Sequence, residues 1–121
     1  MLTLLSPAKK LNMIPVETGV PITKPRLRKD TRELAGVAKA QSAKNLKRLM
    51  HISDNLANMN FERFQAFNLD NRSNSAKAAG LAFDGDVYWG LEADSLSDKA
   101  LAYAQDHLRI LSGLYGVLRP M

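Results

Sequence analysis

Apolar residues along this chain come in short bursts with changing period. Leu2–Leu5 is a compact apolar run that stops at Ser6-Pro7, which reads as a short buried strand running into a turn. Residues 15–25 (PVETGVPITKP) contain three prolines and a glycine, and predict an extended loop. From Thr31 to Ala40 the period becomes helical, with Leu34, Val37 and Ala38 on one face and Asp30 or Thr31 as the cap. Ser42 is placed to cap a second helix, with Leu46, Leu49, Met50 and Ile52 forming an apolar stripe and Lys44, Lys47 and Arg48 on the other face.

The stretch SDNLANMNFERFQAF (53–67) reads as two short helices joined by a tight turn at Ala57–Asn60, with Phe61, Phe64 and Phe67 recurring every third residue. NLDNRSNS (68–75) is a polar loop. AAGLAFDGDVYWGL (78–91) predicts a strand or extended run with turn chemistry at Asp84-Gly85. Ser97 is the expected cap of a long amphipathic helix that turns Leu101, Ala104, Leu108 and Leu111 inward. SGLYGVLRP then turns on Gly113 and Gly116, with Gly113 ending the helix ahead of a short strand at Val117-Leu118. The expected class is therefore mixed α/β (α+β), short strands among several helices. The 121 residues are expected to form a single domain.

Composition excludes more than it assigns. The hydrophobic and charged fractions are ordinary for a globular chain. There is no cysteine, which removes disulfides, thiol nucleophiles and cysteine-ligated metals. No apolar run approaches the length of about 18 residues that a membrane-spanning helix needs. The start of the chain lacks the basic leader of a signal peptide, so a cytoplasmic protein is expected.

The net charge of +5 is uneven. Residues 1–50 carry eleven Lys/Arg against three Asp/Glu, whereas residues 51–121 carry six against nine. The basic half favours a polyanionic partner, although the same charges would also serve as a solvated face.

Four constellations bear on chemistry. Ser6 and Lys9 have the S-x-x-K spacing of a serine nucleophile and its lysine base, but the partner motifs of those enzymes are missing. The same turn could present Lys9 and Lys10 to phosphate, or simply end a strand. Leu56-Ala57-Asn58-Met59-Asn60 resembles the turn of a helix-hairpin-helix, with asparagines in its glycine positions. Asparagine tolerates the left-handed backbone better than most residues. Lys44, Lys47 and Arg48 before that turn, and Arg63 after it, would then meet phosphates. A similar glycine-spaced string at Leu111–Gly116 is better read as a turn, because Pro120 would interrupt a following helix. Asp84, Asp86, Glu92 and Asp94 lack the ligand spacing of a calcium loop, and His51 and His107 lack metal-like spacing. No metal and no cofactor are expected.

In order along the chain, LLSPAKKL, HISDNLANMNFERF, AFDGDVYWGL and HLRILSGLYGVLRP resemble the YaaA family of bacterial peroxide-stress proteins. The resemblance spans essentially the whole chain. It implies a mixed α/β fold with a basic cleft and a helix-hairpin-helix-like element around Ser53–Phe64. It also implies binding to double-stranded DNA, a cytoplasmic role in limiting peroxide damage through lowered free iron, and no established enzymatic reaction. Family members continue well beyond this length, so the chain is expected to be an N-terminal part and an incomplete domain. Where this sequence has Asn58, members often carry glycine.

Two readings of the site follow. A DNA-binding surface would use Lys44, Lys47, Arg48 and Arg63 on phosphates, with Asn58 and Asn60 at the backbone. Lys9, Lys10, Arg26, Arg28 and Lys29 would extend its field. The alternative is an enzyme or small-anion site drawing on Ser6, Lys9, Asp86, Tyr88 and Arg119, where the motifs converge.

Overall fold

A computed structural model describes residues 1–70 and 76–121; residues 71–75 of the expected polar loop lie outside the described residues. The fold is mixed α/β, and the described residues form six helices, a 3-10 turn at Ala93–Ser95 and five short strands. The chain divides into two compact units. One combines Met1–Leu27 with Arg72–Met121, and the other is Arg28–Asn71.

The first unit is built on a three-stranded sheet. Its strands are β1 (Thr3–Leu5), β4 (Leu108–Ser112) and β5 (Gly116–Leu118), in the order β1-β4-β5. β1 runs parallel to β4 with Leu4 opposite Arg109, and β4 runs antiparallel to β5 with Leu111 opposite Val117. The hairpin between β4 and β5 returns at Gly116, whose φ of +75° suits glycine, and a Cβ there would run into Leu27. Gly113 thus lies in a hairpin loop and not at a helix end.

A two-residue ladder joins β2 (Lys10–Leu11) to β3 (Phe83–Asp84), antiparallel. Short helices flank β3: α4 (Ala79–Ala82) before it and α5 (Asp86–Leu91) after it. The expected strand at 78–91 is thus reduced to two residues. The remaining helix, α6 (Asp98–His107), is capped by Ser97, whose hydroxyl accepts from the Ala100 N–H at 3.3 Å.

Two further expectations change in this unit. β1 forms but is not buried: Leu2 and Leu4 are exposed, because only one face of the strand packs inward. The α6 helix ends at His107, and Leu108 and Leu111 belong to β4. Residues 108–111 fit either period, and pairing with β1, about a hundred residues away in sequence, decides for strand. The buried Gln105 closes the core by an amide clamp. Its Oε1 accepts from the Met121 N–H at 2.8 Å, and its Nε2 donates to the Met121 carbonyl at 3.2 Å. Both polar ends of a buried amide are thereby satisfied.

The described residues of the second unit form α1 (Arg28–Lys39), α2 (Ala43–Met50) and α3 (Asp54–Ala66). α1 starts earlier than its pattern suggests and buries Thr31 and Ala35, while Leu34 and Val37 face solvent. Small residues one turn apart let helices approach closely, so they line the inner face here in place of the larger ones. Thr31 is consequently an interior residue and not a cap.

α2 is capped as expected. The Ser42 Oγ accepts from the Asn45 N–H at 3.1 Å. Of its apolar stripe, Leu46 and Ile52 are buried and Leu49 is exposed.

The largest correction concerns residues 54–66. They form one uninterrupted helix, so no turn exists at Ala57–Asn60. Nothing between Ser53 and Phe67 breaks a helix, and asparagine costs only about half a kcal/mol relative to alanine. Asn60 is buried, and its Nδ2 donates to the Leu56 carbonyl one turn back at 2.8 Å. The hairpin lies instead between α2 and α3. His51 adopts the left-handed conformation (φ 52°, ψ 52°), Ile52 is buried, and the Ser53 Oγ accepts from the Leu56 N–H at 3.3 Å to start α3.

Candidate nucleic-acid interface

The α2–α3 hairpin borders an open groove of about 770 Å³ lined by Lys44, Lys47, Arg48, His51, Asp54 and Asn58, among others. Its charge is a property of sequence. No Asp or Glu lies between Glu33 and Asp54, and that interval holds Lys39, Lys44, Lys47 and Arg48.

Helix electrostatics separates these cations. Lys47 and Arg48 sit in the last turn of α2, where the helix dipole favours positive charge, and Asp54 sits in the first turn of α3, where it favours negative charge. Lys47 Nζ meets Asp54 Oδ1 at 2.8 Å across the hairpin. Both side chains are well exposed, so this ion pair contributes at most about 1 kcal/mol. Local stability therefore accounts for Lys47 and, in part, for Arg48.

It does not account for Lys44. This residue occupies the first turn of α2, where the dipole disfavours a cation, and no acid shares that turn. An anion brought to the groove would offset that repulsion by attracting both the lysine and the helix N-terminus.

The other expected phosphate contacts are distributed differently. Asn58 lines the groove through its exposed side chain, but its backbone and that of Asn60 are engaged within α3. Arg63 lies further along α3 and does not line the groove. Its Nη1 is buried without a hydrogen-bond partner among the described residues.

Arg28 and Arg32 converge on Asp70, at 2.8 and 2.9 Å. Their hydrogen bonds and charge, Arg32 foremost, hold the Asp70 carboxyl below its ordinary value of 3.8. Lys29 is exposed on the same helix. Lys9, Lys10 and Arg26 belong to the sheet-bearing unit.

In that unit, the first and third signature segments interlock. The Tyr88 hydroxyl donates to the Ser6 carbonyl at 2.6 Å, and burial raises its pKa above 10.0. Lys10 Nζ pairs with Asp84 Oδ2 at 3.3 Å, and Trp89 Nε1 donates to Asp84 Oδ1 at 2.6 Å. The Trp89 bond, then Lys10, holds the Asp84 carboxyl below 3.8. A Cβ on Gly85 would stand 3.1 Å from Ala8.

Tyr88 thus reaches the carbonyl of Ser6 and not its hydroxyl. Ser6, Lys9 and Asp86 are exposed, and Arg119 is half-buried in the segment after β5. Among the described residues, no group of three or more His, Cys, Asp or Glu could hold a metal, and no helix is long and apolar enough to cross a membrane.

The fold and groove describe a mixed α/β protein bearing a basic helical hairpin. Comparison with known proteins gives its family. The family model described as "Peroxide stress protein YaaA" matches residues 1–121, and the chain belongs to that family. A UPF0246 protein of Phenylobacterium zucineum is 54% identical over 121 residues, all of this chain and 45% of the relative. One from Caulobacter vibrioides is 54% identical over 120 residues, 99% of this chain and 46% of its own length. A third, from Saccharophagus degradans, is 47% identical over 121 residues and 47% of its length. The chain thus spans about half the length of the curated relatives it matches.

Proposed function

We propose that this chain serves the peroxide-stress response by binding double-stranded DNA through the basic groove at the α2–α3 hairpin. The observation that carries this reading is Lys44, an uncompensated cation in the first turn of α2 beside Lys47, Arg48 and His51. Three cations spaced along a helix match a run of phosphates and read charge rather than base sequence. The left-handed His51, and not the asparagines, makes the turn of the hairpin, and Asn58 adds a side chain on the groove. Lys29 and Arg28 supply further positive field on α1, with Arg28 partly neutralised by Asp70. Shielding DNA in the cytoplasm would complement the lowering of free iron, since iron and peroxide together damage DNA.

Duplex binding by this chain tests the reading. Reversing Lys44, Lys47 and Arg48 together to Glu should abolish binding at moderate salt while leaving helical circular dichroism unchanged. Undiminished affinity in that variant would overturn it.

A further inference from the structure

The outer face of the three-stranded sheet is apolar and uncovered. Register places Leu4, Arg109, Leu111 and Val117 on one side, and Leu5, Ile110 and Leu118 on the other. The second side is the core, where Ile110 is fully buried. On the first side Leu4, Leu111 and Val117 are 58, 41 and 47% exposed, and Leu2 just ahead of β1 is 54% exposed. Arg109 does not break this surface, because its Nη1 folds back onto the carbonyls of Gln105 and Leu108 at 2.8 and 2.7 Å.

Parallel strands are ordinarily covered on both faces, and their sequences read as continuous apolar runs. TLL in β1 approaches that character, and in β4 (LRILS) only Arg109 interrupts Leu108, Ile110 and Leu111. The sheet also has open edges at β1 and β5. A half-covered sheet with a parallel pair is the form expected of one side of a larger layered fold.

We propose that this face is the docking surface for the part of the family's chain that lies outside the matched span. That part is more than half of the Phenylobacterium zucineum relative. An apolar helix packed across Leu4, Leu111 and Val117 completes the second layer. The inference is independent of DNA binding, since all these residues belong to the sheet-bearing unit.

The chain has no cysteine, so single cysteines report accessibility cleanly. Val117→Cys and, separately, Leu4→Cys are placed in this chain and in a fusion of it to the remaining segment of the Phenylobacterium zucineum protein. Thiol labelling at both positions should slow at least about tenfold in the fusion, the effect of burying a site that reacts only on local opening. Val37→Cys, exposed on α1, should label at the same rate in both. Equal labelling of Val117→Cys and Leu4→Cys in a folded fusion overturns the proposal. Labelling that slows with concentration in this chain alone, with dimers by sedimentation, also overturns it by making a second copy the occupant. Should the fusion fail to fold, radical footprinting of the natural relative provides the second reading. Its strands aligned with β1 and β5 should be modified at least about tenfold less than those of this chain, and equal modification overturns the proposal.

Discussion

In the sheet-bearing unit, polar side chains are turned on the unit itself; in the helical unit, the cations of α2 are turned outward. Tyr88 holds Ser6, Asp84 holds both Lys10 and Trp89, and Gln105 holds Met121. Lys44 and Arg48, by contrast, form no ion pair among the described residues, and Lys47 has one exposed partner. Most of the family signature is thus separate from the candidate surface, and only the segment HISDNLANMNFERF reaches the groove. Three of the four segments that carry the family resemblance build the first unit, whereas HISDNLANMNFERF and the cations suited to a polyanion lie in the second. Charge totals alone do not show this. The +8 carried by residues 1–50 becomes eight basic against five acidic residues in Arg28–Asn71, and nine against seven in the other unit. What distinguishes α2 is that no acid lies in residues 34–53, and among the described residues Asp54 alone pairs with one of its cations.

The comparison can be broken in several places. The largest effect should follow from Ile110→Ala, which opens the sheet core and costs about 2–5 kcal/mol. Denaturant unfolding followed by the fluorescence of Trp89, the sole tryptophan, measures it. Duplex affinity, taken where the variant is still folded, should stay within about twofold if the groove is independent of the sheet-bearing unit.

Tyr88→Phe should cost about 1–2 kcal/mol in the same assay, since it leaves the Ser6 carbonyl without its partner. A loss of DNA affinity without a loss of stability would place Tyr88 in the binding surface and collapse the distinction. Ser42→Ala should cost about 1 kcal/mol through the lost cap of α2 and should weaken DNA binding only through fraying of that helix.

The smallest effect concerns acid. Asp84 titrates below its ordinary 3.8 in the folded chain, so its contribution is complete above 3.8 and is lost as pH falls through the lower folded value. Trp89 fluorescence should change with a midpoint below 3.8. Asp84→Asn should remove the transition, and Lys10→Gln should move it upward only in part, because the Trp89 bond is the larger cause.

Much of this arrangement was legible in the sequence. β1, the proline-rich loop, and the Ser42 and Ser97 caps follow from local chemistry, and each is found where the pattern places it. The family resemblance also holds across the whole chain. What local chemistry misplaced was the hairpin. Two asparagines drew attention to Ala57–Asn60, while the real turn rests on a left-handed histidine with no glycine to mark it. The α6–β4 switch was hidden for a different reason. His107 passes directly into Leu108 with no turn residue, and only pairing with the distant β1 separates helix from strand there. The exposed face of β1 was equally invisible, since an apolar run does not say which of its faces is covered. The sequence signal for His51 in the groove is the acid-free interval from 34 to 53, not its spacing to His107.

The central claim is that α2, and not the Lys9–Lys10 segment of the sheet-bearing unit, meets DNA. The most direct measurement is the salt dependence of duplex binding for the natural chain, for Lys44→Gln/Lys47→Gln/Arg48→Gln, and for Lys9→Gln/Lys10→Gln. Each lost phosphate contact should lower the slope of log K against log salt by about 0.9. The α2 variant should therefore lose between about 1.8 and 2.7, the lower figure applying if Lys47 stays with Asp54, while the Lys9/Lys10 variant loses less than about 0.9. An unchanged slope in the α2 variant, with the larger loss in the Lys9/Lys10 variant, would contradict the account.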